Sequence, residues 1–525
     1  MAPVNMTTSV SSVILLVAFL STPHTSAYSD YSTKCSQDSP CMGVQSWSKD
    51  DISGNGVVSY TTSQENEDRL TKRVTSFEES DNGGWQKIKL DPSVTYQKIQ
   101  GFGGALTDAA AITINTLNPE MQTKLLENYY SAEGIEYTVG RVPIASCDFS
   151  TGVYSYDETE NDFELNDFSI AVDSTEITGN KLNLIKTVLE MTVNKISLFA
   201  SPWAPPAWMT QTNSTVGNPS LRDEPEVYQS WALYFSKFFE AYRNEGVDFW
   251  AVTVQNEPAG NTGAWQDLKM SPEQQRDFVK NYLGPQLEST DPDLKIMMHD
   301  DQRVHLPTWT STILDDKDAN KYIDGIGLHW YSEVEDYVTW ATKPFDKMND
   351  VNGKYPDKFM MGTEACNGFI PIIDQGPKLG DWNRGERYGF DIMSDLNAWA
   401  VGWTDWNIAL DLSGGPNWAK NVVDAPILID TEAGDVFYKN PMFYYLGHFS
   451  KFIKPGSVRI GVESTGNLIS APMEAAGFLT PDGEMVVVVM NRDIAGHKYN
   501  IELPGKGFIN VDVPKHSIQT FIFEQ

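Results

Sequence analysis

Cysteine, positive charge and long apolar runs are all scarce in this sequence. Four cysteines are spread over 525 residues. No CxxC pair or His/Cys cluster has metal-ligand spacing, so no metal and no other cofactor is expected. Cys35 and Cys41 sit close together in a polar segment and could form one disulfide, whereas Cys147 and Cys366 lie in apolar sequence and read as buried thiols. Lysine and arginine number 39 against 71 aspartates and glutamates, a net charge of −32. Nucleic acid is excluded as a partner, because phosphate binding needs clustered basic charge. The same balance suits an acidic compartment, where protonation relieves self-repulsion, although any acidic soluble chain would show it. No apolar stretch approaches the roughly 18 residues of a membrane span. The run 13–20 is short and is followed by the small residues Thr25, Ser26 and Ala27, so residues 1–27 read as a signal peptide. The mature chain is then expected to carry no membrane anchor. The sequon Asn213-Ser214-Thr215 fits that secretory route.

What is present is a periodic middle. Between about 98 and 407, short apolar runs alternate with helix-like segments. The runs are 98–101, 139–145, 196–203, 249–255, 295–299, 323–330, 359–362 and 401–406. Helical spacing is clear over 225–244, with Val227, Trp231, Phe235, Phe238 and Phe239 on one face, and over 271–287. Repeated strand-then-helix order predicts a parallel sheet, and a run of such units predicts a closed (β/α)8 TIM barrel. The ends differ, being rich in short alternating segments such as Met485–Met490. The expected layout is a barrel over 98–407 plus 441–454, a β-sandwich from both termini (56–97 plus 455–525), and a small antiparallel β unit (28–55 plus 408–440).

In a barrel, chemistry collects at the carboxyl ends of the strands. Two acids follow apolar runs there: Glu257 in Asn256-Glu257-Pro258 after the fourth run, and Glu364 in Thr363-Glu364-Ala365-Cys366 after the seventh. A closed barrel brings both to one mouth. Glycosidic bond cleavage uses such a carboxyl pair, one as acid and one as nucleophile or base. Either acid alone is an ordinary turn or strand end. Gly101-Phe102-Gly103-Gly104 invites a dinucleotide reading, but Leu106 stands where the third glycine should be. Close backbone packing at the barrel start explains it better.

The stretches GFGGALTDAAA (101–111), RVPIASCDFS (141–150), FWAVTVQNEP (249–258), GLHWY (327–331), TEAC (363–366), VGWTDWN (401–407), GGPNW (414–418) and PMFYYLGHFSKFI (441–453) are spread over most of the mature chain. In them the sequence resembles the lysosomal acid β-glucosidases (glucocerebrosidases) of glycoside hydrolase family thirty. The resemblance implies a retaining β-glucosidase that cleaves glucosylceramide, with Glu257 as acid/base and Glu364 as nucleophile. It implies that Asn256 meets the sugar 2-hydroxyl and that Asp148, Trp203, Trp406 and Asn421 contact the sugar. Tyr331 would lie near the nucleophile, Arg141 would orient a neighbouring carboxylate, and His329 would support the site by hydrogen bonding. The bland readings are a rim ion pair for Asp148 and Arg141, core packing for Trp203 and Trp406, and packing for Cys366.

The resemblance further implies a lysosomal or secreted location and peripheral membrane contact only, through an activator protein and an anionic lipid surface. At −32 that contact should be repulsive at neutral pH and less so in acid. Two departures stand out: two N-terminal cysteines where the vertebrate enzymes have four, and a shorter loop after Pro258 in which Trp265 is the one large aromatic. Other readings are a related glycosidase (β-xylosidase, β-1,6-glucanase or steryl glucosidase) or a non-catalytic glycolipid-binding protein.

Overall fold

The computed structural model describes residues 30–39, 41, 43–84, 86–332, 344–466 and 473–525; the signal-peptide stretch 1–27 lies outside them. Eight parallel strands close a barrel: β1 (Gly101–Ala105), β2 (Val139–Ile144), β3 (Ser197–Pro202), β4 (Ala251–Thr253), β5 (Lys295–Gln302), β6 (Gly325–His329), β7 (Phe359–Glu364) and β8 (Ala400–Asn407). The ring is sealed where β8 pairs with β1, Gly402 opposite Gly101. Val139, Phe199, Ala251, Met297, Met361 and Val401 form a buried apolar layer from the strands inside the barrel. Such a plug near the strand starts leaves the carboxyl ends to form a mouth.

The first strand begins later than the apolar run 98–101 suggests. Gln86–Lys98 is spent on a strand of the other sheet, and the glycine-rich stretch itself is β1. Its missing side chains are explained by crowding: a Cβ on Gly103 would fall 1.7 Å from the Val139 carbonyl oxygen. The helix over Pro225–Asn244 buries Val227, Trp231, Phe235, Phe238 and Phe239 against the barrel. The helical segment expected over 271–287 is not uniform. It runs Pro272–Phe278, loosens into one π turn at Val279–Leu283, and resumes at Gly284–Thr290. Tyr322 accounts for the glycine there, since its ring would lie 2.4 Å from a Cβ on Gly284.

Both ends of the chain build a nine-stranded sheet. Its strand Glu484–Asn491 is buried at every position. Alternate residues explain this. Met485, Val487 and Val489 enter the sheet's own core, while Val486, Val488 and Met490 join the barrel core. A continuous apolar run is what a strand covered on both faces requires. His448 crosses the join, its ring nitrogens each 2.9 Å from the hydroxyls of Thr520 and Thr62.

A third sheet has the order Thr33–Ser36, Val436–Lys439, Ile427–Asp430, Ala409–Asp411. It is not wholly antiparallel: Ala409–Asp411 pairs parallel with Ile427–Asp430. Ala409–Asp411 leaves the barrel directly after β8, so the chain returns to it through the crossover 412–426 rather than a hairpin. A Cys35–Cys41 disulfide closes the loop beside its first strand.

Substituting Gly103→Ala should lower unfolding free energy by about 2–3 kcal/mol, the usual cost of overpacking a filled core. Gly353, in the helix Pro344–Lys354, has open space around its Cβ position. Gly353→Ala should instead stabilise by about 0.5–1 kcal/mol. Equal effects of the two in urea melts would contradict the crowding argument.

Candidate active site

Four strand pairings reach the mouth with broken register. Irregularities fall between Gly327 and Leu328 against β5, between Leu328 and His329 against β7, between Met360 and Gly362 against β8, and between Asp405 and Asn407 against β1. A bulge re-aims the side chains beyond it. In β5 the consecutive residues His299 and Asp300 both adopt left-handed backbone, φ 71 and 60. Glu257, just past β4, does so too, at φ 44. Non-glycine residues in this region cluster where the surroundings force them. Here the Glu257 amide donates to the Asp300 carbonyl at 2.9 Å, tying the turn to β5.

These bends bring Glu257 and Glu364 together. One carboxylate oxygen from each and a ring nitrogen of His329 all lie within 4.8 Å of one another. Behind them sits Arg141 on β2, fully buried. Its guanidinium donates to Asp300 (2.9 Å), to the Asn256 side-chain oxygen (2.8 Å), to the Ser201 hydroxyl (3.0 Å) and to Glu364 Oε2. Tyr331 donates its hydroxyl to the other Glu364 oxygen at 2.8 Å. Glu257 Oε1 accepts from Gln302 Nε2 at 3.0 Å and meets His329 Nδ1 at 3.2 Å. His329 Nε2 lies 3.1 Å from Asp300, which also accepts from Thr253 and Thr363.

Burial alone would strip the proton from His329. Attraction to Glu364 and its bonds to Asp300 and Glu257 more than offset that and lift it to about 10, so the ring is a cation. Asp300 is buried as well, yet Arg141 and His329 hold its carboxyl well below the usual range. The two histidine nitrogens are thereby both donors.

Another part of the cleft lining is aromatic and acidic. Trp203 and Trp406 stack with centroids 5.1 Å apart at 19°. The Arg141 guanidinium lies 4.8 and 5.4 Å from their rings. Asp148, beyond β2, accepts from Asn421 Nδ2 at 2.8 Å. Burial, then the nearby Glu364 charge, push its carboxyl up to about 7. The cleft encloses about 470 Å³, and Asp148, Trp203, Asn256, Tyr331, Trp406 and Asn421 all line it with the two glutamates. Trp265 and Gly260 to Thr262, from the loop after Pro258, line it too.

Several readings change with these contacts. Asp148 and Arg141 do not pair at the rim; Arg141 turns inward to Asp300 and Glu364. Trp203 and Trp406 are buried and also face the cleft. Cys366 does more than pack, since its sulfur lies 3.4 Å from the Tyr331 hydroxyl. Asp300, Asp301 and Gln302 are site residues that the sequence reasoning passed over. Their signal was the same as for the glutamates: polar residues ending the apolar run Lys-Ile-Met-Met. Among the described residues, Glu257, His329 and Glu364 are the one group close enough to share a cation. A charged His329 with both nitrogens on carboxylates, and Arg141 against Glu364, make it a poor metal site.

Residues 99–453 match the glycosyl hydrolase family 30 TIM-barrel domain, and 456–521 match the glycosyl hydrolase family 30 beta sandwich domain. The chain belongs to glycosyl hydrolase family 30. It is similar to the lysosomal acid glucosylceramidase of Mus musculus, 42% identical over 462 residues, 87% of each chain. It is less similar to an endo-1,6-beta-D-glucanase of Neurospora crassa, 27% identical over 78% of this chain and 82% of that one. Among solved structures, SrfJ from Salmonella typhimurium superposes with a TM-score of 0.80 at 29% identity, covering 90% of this chain and all of the other. Family 30 is a retaining family. Carboxylate oxygens within 4.8 Å of each other suit retention, whereas inversion needs groups roughly 6.5–9.5 Å apart to admit a water.

Asp148 gives this family 30 hydrolase a testable pH dependence. An acid held more tightly when folded carries more proton in the native than the unfolded state between its ordinary 3.8 and about 7. Its contribution to stability therefore falls as pH rises through that window. Asp148→Asn should gain about 2–4 kcal/mol relative to the parent from about pH 4 to pH 7.5. Urea unfolding at several pH values measures this, and a flat difference would contradict the burial argument.

Proposed function

We propose that this chain hydrolyses glucosylceramide to glucose and ceramide through a covalent glucosyl-enzyme, with Glu364 as nucleophile and Glu257 as acid/base. The observation that carries the reading is the pair of carboxylates within 4.8 Å, one from β4 and one from β7, in unlike surroundings. Both Glu364 oxygens are held, by Arg141 and Tyr331, which fixes their aim. Glu257 has one oxygen held by Gln302 and His329, leaving Oε2 to face the leaving group.

In the first step a Glu364 oxygen bonds to the anomeric carbon while the bond to the ceramide oxygen breaks. Glu257 gives that oxygen its proton, so ceramide leaves as a neutral alcohol. In the second step water attacks the same carbon, Glu257 takes the proton, and the bond to Glu364 breaks. Two inversions return the β configuration. Asn256, its oxygen engaged by Arg141, has its amide hydrogens free for the sugar 2-hydroxyl. Asp148 and Asn421 would hold outer hydroxyls, and the Trp203–Trp406 wall suits the C–H face of a sugar ring. The stronger likeness to the mouse glucosylceramidase than to the fungal glucanase favours the lipid substrate.

A substrate embedded in a membrane requires contact with its surface. No described helix is long and apolar enough to cross a membrane. The hairpin after Glu364 supports peripheral contact. Phe369 lines the cleft, while Ile372 and Ile373 at the tip are 98% and 53% exposed. Asp374, paired with Ile370 next to the tip, is pinned by Arg384 and Arg387 at 2.6 Å each. An anchored apolar tip beside the mouth fits a lipid surface. A lysosomal location and an activator protein complete the reading.

Incubation with a β-glucose-configured epoxide followed by peptide mapping should label Glu364, and Glu364→Gln should lose at least about 1000-fold in kcat. Label elsewhere with an active variant would reject the mechanism. Replacing Ile372 and Ile373 together by serine should reduce flotation with anionic vesicles and turnover of vesicle-borne glucosylceramide several-fold, yet spare a water-soluble aryl glucoside. Equal loss on both substrates would sink the role of the hairpin.

A further inference from the structure

The bulge in β5 gives three consecutive residues separate contacts at one site. Asp300 turns to Arg141 and His329. Gln302 donates to Glu257 Oε1 and is itself held by the Ser332 amide at 3.1 Å. Between them, Asp301 is buried at the cleft wall and makes no ion pair among the described residues. Its carboxylate instead accepts two backbone N–H bonds: from Ala259 at 2.9 Å and from Gln302 at 2.6 Å.

Those two amides belong to the segments that aim Glu257. Ala259 lies two residues beyond Glu257, in the turn where Glu257 holds a left-handed backbone. Among the described residues the rest of that turn is held by backbone bonds, from Glu257 N–H to the Asp300 carbonyl, from Gly260 N–H to the Glu257 carbonyl and from Met270 N–H to the Pro258 carbonyl, 2.9 Å each. Asp301 supplies the side-chain bond that locks the strained turn onto β5. Through the Gln302 amide it also sets the backbone from which the Gln302 side chain reaches Glu257. A buried carboxylate with no cation is costly unless such bonds repay it. Burial and then the Glu257 charge push the Asp301 carboxyl up, and the Gln302 and Ala259 amides, with His329, pull the other way.

We infer that Asp301 is a positioning residue for Glu257, holding the acid/base side chain on the leaving-group oxygen by clamping its turn at Ala259 and its partner Gln302. This rests on the assignment of Glu257 as acid/base. It predicts a defect confined to proton delivery and removal, because Glu364 is held independently by Arg141 and Tyr331.

The test compares Asp301→Ala, Asp301→Asn and Glu257→Gln on two soluble β-glucosides, one with a dinitrophenyl and one with an alkyl leaving group. The first departs without a proton and the second does not. With Asp301→Ala, kcat/KM on the alkyl glucoside should fall at least about 100-fold, while the dinitrophenyl value stays within about threefold. On the dinitrophenyl substrate kcat and KM should fall together, and azide should restore kcat by replacing water without needing a base. Asp301→Asn keeps one acceptor oxygen, so its split should be smaller and of the same kind; if the alanine variant does not fold, this variant carries the test. Uniform loss on both substrates, or none, would overturn the inference if Glu257→Gln still shows the split. Absence of the split in Glu257→Gln would overturn the acid/base assignment itself, and this inference with it.

Discussion

The site is organised around the buried ion pair of Arg141 with Asp300. A guanidinium with no exposure can persist only if every donor direction is met and its charge is balanced. Asp300, Glu364, Asn256 and Ser201 meet it, and they come from β5, β7, the end of β4 and β3. One side chain on β2 therefore fixes the relative positions of four other barrel segments at the mouth. The register breaks of β5 to β8 serve the same end, since regular strands would point Asp300 and His329 along alternate faces. Backbone strain at His299, Asp300 and Glu257 is sustained by these contacts rather than relieved by them.

Those constraints explain what could be read from the chain and what could not. Glu257 and Glu364 were visible because each is a polar residue closing an apolar run, a pattern that survives any local distortion. Asp300 carried the same signal but was not singled out, because His299, Asp300, Asp301 and Gln302 follow one another and nothing in the sequence tells which of them faces the site. Arg141 sits inside a strand, where its neighbours reveal nothing about its four partners, and only the family resemblance pointed to it. β1 was misplaced for a related reason. Strand patterns are recognised by apolar side chains, and crowding against Val139 leaves β1 almost none. The opposite case is Met485–Met490, whose unbroken apolar run announced a strand before anything announced the two cores it joins.

The nine-stranded sheet bears on the site through that join. Val486, Val488 and Met490 belong to the same core as the barrel helices, and His448 bonds hydroxyls of two of the sheet's strands. Burial pushes His448 down to about 3, so it stays neutral and its bonds do not change between mildly acidic and neutral pH. At the mouth, by contrast, Asp148 is raised to about 7. In acid Asp148 carries a proton and can donate to a hydroxyl as well as accept. In neutral solution it adds a negative charge to the cleft that holds the two glutamates.

Charge counting links the ion pair to the proposed chemistry. Arg141 and His329 are cations, and Asp300 is an anion. With Glu364 ionised and one proton on Glu257, the buried cluster sums to zero. After the first step Glu364 is an uncharged ester and Glu257 has given up its proton, and the sum is zero again. The negative charge has moved from one glutamate to the other, a few ångströms away, and His329 touches the receiving one. A low-dielectric site tolerates such an exchange far better than the appearance of a new charge. The same fixed pair of cations therefore serves the resting state and the covalent intermediate, and it does so only because Asp300 holds both of them.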